Sequence, residues 1–266
     1  MHATLSAIHT ILDKLKNKQP LTPEEQTEVL DHIDQLNTGE RRAANKVNQE
    51  WHANPETKAA ILAYFQIMEM TLYPDHPGAF DKIPLKFQHW GAQAFKTAKI
   101  RSVPGTIVRN GAFIGANCVL MPCFINIGAH IGSGTMIDTN ATVGSCAQVG
   151  ANCHISGGAG IGGVLEPENA CPTIIEDNCF IGARSEIAEG VIVGEGSVVA
   201  MGVFISASTK ILDRESGKIS YGSIPPYSVV VPGSIASGNA QLNCAVIVKK
   251  VDASTRKKTS INDLLR

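Results

Sequence analysis

Between Ile107 and Ile211 an apolar residue recurs every six positions. The column runs Ile107, Phe113, Val119, Ile125, Ile131, Ile137, Val143, Val149, Ile155 and Ile161. After an interruption it resumes two residues out of phase, with Ile175, Ile181, Ile187, Val193, Val199, Ile205 and Ile211. In a chain that is 44% apolar, seventeen hits in succession arise by chance on the order of once in 10⁶ trials. A period of six fits neither a 3.6-residue helix nor an unbroken alternating strand, so each hexad reads as one short strand plus a turn. Three such units close a coil of about eighteen residues, with the column residue pointing inward and stacking coil on coil. Small residues four places further on, such as Cys123, Ala129, Thr135, Ala147, Cys153 and Ser185, suit tight corners. Glycines directly after column residues, among them Gly132, Gly144 and Gly182, mark bends where a Cβ would interfere. The expected solid is a triangular prism of parallel strands, mainly β, over residues 96–212.

The first 95 residues carry a different pattern. Leu5, Ile8, Ile11, Leu12 and Leu15 repeat at helical spacing, and Thr22-Pro23-Glu24-Glu25 is a capping box that should open a helix from Pro23 to about Leu36. Asn54-Pro55 should start a third helix with Ile61, Leu62 and Phe65 on its apolar face. Trp51, Tyr64, Phe65 and Phe87 read as core, and Tyr73 to Trp90 as a connector. Within the prism, Gly163–Thr173 has two prolines and no column residue, so it should leave the wall as a loop that covers or builds a site. Residues 213–266 read as a hairpin turn at Asp213–Lys218, a strand from Ala245 to Val251 and a short helix capped by Ser260.

Charge and cysteine usage narrow the function. A formal net charge of -1 without a long basic stripe argues against nucleic acid, and no apolar run approaches membrane-spanning length. None of the seven cysteines forms a CxxC pair, and Cys123, Cys153 and Cys179 sit at the small-residue corner, so reduced, buried thiols in a cytoplasmic protein are expected. Prisms of this kind serve acyltransferases, gamma-type carbonic anhydrases and nucleotidyltransferases. A carbonic anhydrase would need a histidine triad with two members five residues apart, which the prism lacks, so no metal is expected. A helical N-terminal part does not fit a nucleotidyltransferase. Acyl transfer and a non-enzymatic scaffold remain.

Longer words separate these. Arg109-Asn110-Gly111-Ala112-Phe113-Ile114, Gly134-Thr135-Met136-Ile137-Asp138-Thr139, Ala141-Thr142-Val143-Gly144-Ser145-Cys146, Gly160-Ile161-Gly162-Gly163-Val164-Leu165-Glu166-Pro167, Asn178-Cys179-Phe180-Ile181-Gly182-Ala183-Arg184-Ser185-Glu186 and Cys244-Ala245-Val246-Ile247-Val248-Lys249-Lys250 resemble the tetrahydrodipicolinate N-succinyltransferase family, over essentially the whole chain from about residue 80. The resemblance implies the left-handed winding of a hexapeptide-repeat β-helix. It also implies a homotrimer with sites between subunits, which transfers succinyl from succinyl-CoA, a cosubstrate and not a tightly bound cofactor, to the amine of opened tetrahydrodipicolinate. It places Arg101 and Asp138 on the substrate and assigns proton transfer to Asp138 and Glu186. Coenzyme A should lie lengthwise, with Gly202 above Arg184 and with Lys249 and Lys250 as candidate phosphate partners. Arg109 is the rival of Arg101. His130 and His154 read as surface residues whose substitution is a control. Two positions depart from the family: tryptophan is usual where this chain has Asn140, and tyrosine or arginine where it has His130. Another acyl donor, acetyl-CoA included, is therefore the alternative enzyme reading.

Overall fold

A computed structural model describes residues 6–73 and 78–254. Two-residue strands alternate with turns and stack into three flat parallel faces. The first face contains Phe113–Ile114, His130–Ile131, Gln148–Val149, Ile174–Ile175, Ile192–Val193 and Ser223–Ile224. The second begins with Arg101–Ser102 and continues through Val119–Leu120, Met136–Ile137, His154–Ile155, Phe180–Ile181 and Val198–Val199. The third holds Ile107–Val108, Phe124–Ile125, Thr142–Val143, Gly160–Ile161, Glu186–Ile187 and Phe204–Ile205. In each pair the second residue faces the core and the first faces out.

That rule corrects the start of the sixfold column. From Ile125 onward the column residues are the inward ones, but in the first three hexads Val108, Ile114 and Leu120 are buried while Ile107, Phe113 and Val119 look outward. Inward residues are five apart between Leu120 and Ile125, so the first coils are one residue short and Leu120 pairs with Ile137. The later interruption is resolved too. Ile131 stacks under Val149, a step of eighteen, whereas Val149 stacks under Ile175, so eight residues are inserted.

Glycines after column residues are needed for close approach between coils. A Cβ on Gly132 would stand 2.5 Å from the backbone nitrogen of Ala151 in the coil above. A second requirement acts two places later, where Asn140 and Gly202 bend with φ of 59° and 70°. Asparagine tolerates this left-handed turn better than most side chains, which gives Asn140 a local reason.

Three helices pack on one edge of the prism. Helix α1 (Ala7–Lys16) is capped by Ser6, α2 (Pro23–Thr38) by the reciprocal Thr22–Glu25 box, and α3 (Pro55–Ile67) by Asn54. Their buried Ile8, Ile11, Leu12, Ile33 and Ile61 form one core with Ile127 and Cys146 of the prism wall. A hairpin, Ala44–Val47 with Glu50–Ala53, joins α2 to α3 and leans on the first face, where the Trp51 indole donates to Glu176 at 2.8 Å. Trp51 is thus only half-buried and not a core residue. A short helix, α4 (Ala92–Ala98), follows the connector and straddles the boundary expected between residues 95 and 96, and the first prism strand comes after it at Arg101–Ser102. Phe87, Trp90 and Phe95 cluster with centroids 4.9–5.2 Å apart and close the lower end of the prism core, each such ring pair adding about 0.5–1.5 kcal/mol beyond area burial.

The inserted loop leaves the wall between the third and first faces and docks on the helices. Fully buried Lys58 of α3 donates to the Ala170 carbonyl at 2.5 Å, and His9 of α1 lies 3.1 Å from Glu168. It is a clasp for the helical part, not a cover for the prism edge carrying Asp138. Beyond the last coil, Ile211–Asp213 turns into Ile219–Ser220, and a long hairpin of Ser228–Ser237 and Ala240–Lys250 extends the second face. The expected helix at Ser260 lies outside the described residues. All seven cysteines are free thiols, and burial pushes Cys123 and Cys146 up to about 12.

Candidate active site

Asp138, Arg184, Glu186 and Gly202 lie along the edge between the second and third faces, whereas Arg101 stands lower on the second face and Lys249 and Lys250 belong to the C-terminal hairpin. Asp138 occupies the turn directly after Met136–Ile137, one side of that edge. Its Oδ1 accepts the Thr139 amide at 2.6 Å, which fixes the carboxylate and leaves Oδ2 facing outward to His154, 3.7 Å away. His154 stands one coil above Met136 on the second face and packs its ring at 5.3 Å from Phe180. It is therefore part of the site's surroundings, and its substitution is no longer a neutral control. The signal was in the spacing: a residue eighteen after Met136 must neighbour the turn that Met136 enters.

Glu186 opens a strand of the third face, two coils above Asp138 and just across the edge. Its side chain folds down over Gly160, since a Cβ there would lie 2.5 Å from the Glu186 Cδ and 2.6 Å from Oε1. Burial of the carboxyl against this backbone raises its pKa above the usual glutamate value. The eight-residue insertion therefore sets Asp138 and Glu186 on adjacent faces, their carboxyl groups about one coil apart, or roughly 5 Å along the axis.

Arg184 bends over the same edge. Its guanidinium crosses Gly158, where a Cβ would come within 2.7 Å of Cζ, so a cation sits level with the Glu186 carboxyl, one coil above Asp138. Gly202 stacks directly above Arg184 and its amide donates to Ala183 at 3.0 Å. No atom comes within 4 Å of a Cβ built on Gly202, so the groove above Arg184 is open.

Arg101 lies on the second face, two coils below Met136, roughly 10 Å along the axis from the Asp138 level. Its exposed side chain has no hydrogen bond or ion pair among the described residues. Arg109, by contrast, is held at 2.6 Å by Asp81 and by Asn126 at 3.3 Å. The free cation is Arg101. Lys250 is engaged with Asp213 at 3.2 Å, while Lys249 pairs in the strand ladder with Val229.

His130 does not lie at the free surface. Its ring stacks on Phe113 at 4.6 Å, and burial together with Arg42 lowers its pKa to about 3. It floors a cavity of 370 Å³ on the first face, away from the Asp138 edge.

Repeats and edge chemistry together define a hexapeptide-repeat transferase. Residues 128–163 match the profile described as "Bacterial transferase hexapeptide (six repeats)" and residues 172–207 that of "Hexapeptide repeat of succinyl-transferase". Residues 4–67 match "Tetrahydrodipicolinate N-succinyltransferase N-terminal". The chain is 51% identical to the 2,3,4,5-tetrahydropyridine-2,6-dicarboxylate N-succinyltransferase of Parvibaculum lavamentivorans over 99% of both proteins. Its identity to the enzyme of the same name from Methylobacterium sp. is 59%, over 87% of this chain and 86% of that one. The chain belongs to the tetrahydrodipicolinate N-succinyltransferase family. A crystal structure of a putative 2,3,4,5-tetrahydropyridine-2-carboxylate N-succinyltransferase from Campylobacter jejuni shares the fold, with a TM-score of 0.61 at 17% identity. That match covers 86% of this chain and 63% of that one. The fold is thus a left-handed β-helix behind a helical N-terminal part.

Proposed function

We propose that the protein transfers a succinyl group from succinyl-CoA to the amine of 2-amino-6-oxopimelate, the water-opened form of tetrahydrodipicolinate, in lysine and diaminopimelate biosynthesis in the cytoplasm. Family membership supports the reaction. The observation that carries the site is the pair of carboxyl groups, one fixed and one with a raised pKa, at adjacent levels of a single prism edge.

The chemistry follows from those positions. The acceptor arrives as an ammonium with two carboxylates, and only its neutral amine attacks a thioester. Asp138, with Oδ1 held by the Thr139 amide, keeps Oδ2 free to take that proton. His154 stands 3.7 Å from Oδ2 and orients it. Arg101 holds the distal substrate carboxylate through its guanidinium fork, on the same side of the prism and two coils away. The amine nitrogen bonds to the thioester carbonyl carbon, the carbon–sulfur bond breaks, and Glu186, protonated over a wider range than an ordinary glutamate, supplies a proton to the departing thiolate and takes up the proton that the newly acylated nitrogen loses. Coenzyme A runs along the open groove past Arg184 and Gly202, with Lys249 near its phosphates. Asn140, in the turn beside Asp138, gives the acyl pocket its width.

Faces two and three leave this edge open on one side, and the thioester needs a second wall to exclude water. A neighbouring subunit of a homotrimer supplies it. Thiol release with succinyl-CoA and with acetyl-CoA, each with and without tetrahydrodipicolinate, tests the donor and acceptor together. Asp138→Ala and Glu186→Ala should each lower succinyl transfer by roughly 100-fold or more with the oligomer intact. Undiminished turnover in both would reject the assignment.

A further inference from the structure

The cavity on the first face lies between the prism and the hairpin of Ala44–Val47 and Glu50–Ala53, and no step of acyl transfer uses it. Its 370 Å³ falls within the range of small-molecule pockets. What decides its ligand is which polar groups on its walls are already engaged and which are not.

On one wall, the Arg42 Nε donates to Gln148 at 2.9 Å, and its guanidinium lies 5.6 Å from the Trp51 ring. The two terminal guanidinium nitrogens have no hydrogen-bond partner among the described residues. Beside them, the buried Nδ1 of His130 also lacks one. The two terminal guanidinium nitrogens can receive one planar carboxylate, with the His130 ring packed beside it. On the other wall, Glu176 is fully committed: Lys46 donates to it at 2.6 Å, the Trp51 indole at 2.8 Å and the Glu195 amide at 3.1 Å. Asp177 uses Oδ1 for the Ala151 amide, and Glu195 uses Oε1 for Tyr227 and Asn178. Each of these two carboxylates keeps a second oxygen for a cation. Counting charged side chains, two cations face three anions, so a simple anion entering the cavity meets net negative charge. A ligand carrying both charges meets a partner for each.

We propose that this cavity binds a free α-amino acid as its zwitterion. The carboxylate lies against Arg42 and His130, the ammonium against Asp177 and Glu195, and the side chain along the Trp51 indole. The site is separate from the Asp138 edge, so it stands or falls independently of the catalytic reading.

Trp51 is one of two tryptophans, the other being Trp90, so 5-fluorotryptophan labelling gives two ¹⁹F resonances that Trp51→Phe assigns. Titration of the full-length protein through roughly the 0.1–50 mM range with L-alanine and with L-lysine should shift the Trp51 signal saturably for at least one of them. Acetate and methylammonium, each carrying half of the charge pattern, should bind at least about 10-fold more weakly than that amino acid. The double variant Asp177→Asn with Glu195→Gln keeps shape and neutral acceptors, and should weaken the amino acid by about 10-fold or more while binding acetate at least as well as the parent does. No saturable shift with either amino acid overturns the proposal, as does acetate binding equally well or a double variant that binds as the parent does. Circular dichroism and oligomeric state of the variant identify a folding failure, in which case the single variants Asp177→Asn and Glu195→Gln give the same comparison.

Discussion

Gly160→Ala isolates the position of one carboxyl group without altering any side chain assigned to chemistry. Gly160 lies in an extended strand, with φ outside the left-handed region, so alanine suits the backbone. The added methyl would overlap the Glu186 Oε2 and meet Cδ and Oε1 at 2.5–2.6 Å, against about 3.5 Å or more for ordinary contact, so the carboxyl must move by more than about 1 Å. The movement is inexpensive because Glu186 is a flexible side chain at the surface. Replacing glycine in a compatible conformation by alanine also stabilises by about 0.4–1 kcal/mol through the unfolded state. Stability should therefore hold or rise slightly. Catalysis should not, because a misplacement of about 1 Å at a reacting group can cost on the order of 100-fold, equivalent to about 2.7 kcal/mol of barrier. Continuous thiol release with succinyl-CoA and tetrahydrodipicolinate, run beside thermal melts and size-exclusion chromatography, reads both quantities. A variant with parental turnover and unchanged oligomer would show that the down-folded Glu186 rotamer is not the working one, and the proton-transfer role would go with it.

Because burial raises the Glu186 pKa, any rate limb belonging to this group should lie above pH 4.5, with protonated enzyme favoured on its acid side. Comparing kcat/KM profiles of the parent and Glu186→Gln should show that limb vanish. Glu176 behaves oppositely: burial works against its charge, but hydrogen bonds from Lys46, Trp51 and the Glu195 amide outweigh it and lower its pKa. Its stabilisation is therefore present above the unfolded carboxyl pKa and lost as pH falls through the lower folded one. Hydrogen exchange of the Ala44–Ala53 hairpin should accelerate over that acidic window, and much less so in Glu176→Gln. Lys58→Met should cost about 1.5–3 kcal/mol by leaving the loop carbonyls unpaired, and protease cleavage within residues 163–173 should appear first. Of the thiols, half-buried Cys171 should react with iodoacetamide in the native protein, while Cys123 and Cys146 stay unmodified until denaturant is added.

The sixfold column made the prism legible, yet its first three hexads misled. Ile107-Val108, Phe113-Ile114 and Val119-Leu120 are doubly apolar, so sequence alone offers two equally good inward choices, and only the ladder partners decide between them. The insertion was visible as a phase jump, but two, eight or fourteen extra residues satisfy it equally. The pairing of Val149 with Ile175 selects eight. The Ala44–Ala53 hairpin escaped notice because its turn uses Asn48-Gln49 at φ of 49° and 69°, with no glycine to announce it. The burial of His130 and the engagement of Trp51 share one cause: the hairpin and adjoining Arg42 that cover the first face bond to it across 106 to 130 positions of chain, and periodicity carries no record of that.

The one-residue strand register of the prism also acts as a ruler. Arg101 and Asp138 sit on fixed rungs, so their separation can change along the axis only by a whole rung, roughly 5 Å. A wall of this type cannot drift gradually toward longer or shorter acceptors through small loop edits. On the proposed roles of Arg101 and Asp138, selectivity for chain length between two charged ends is counted in discrete steps, and a redesign for a longer diacid would need a complete eighteen-residue turn added between those rungs.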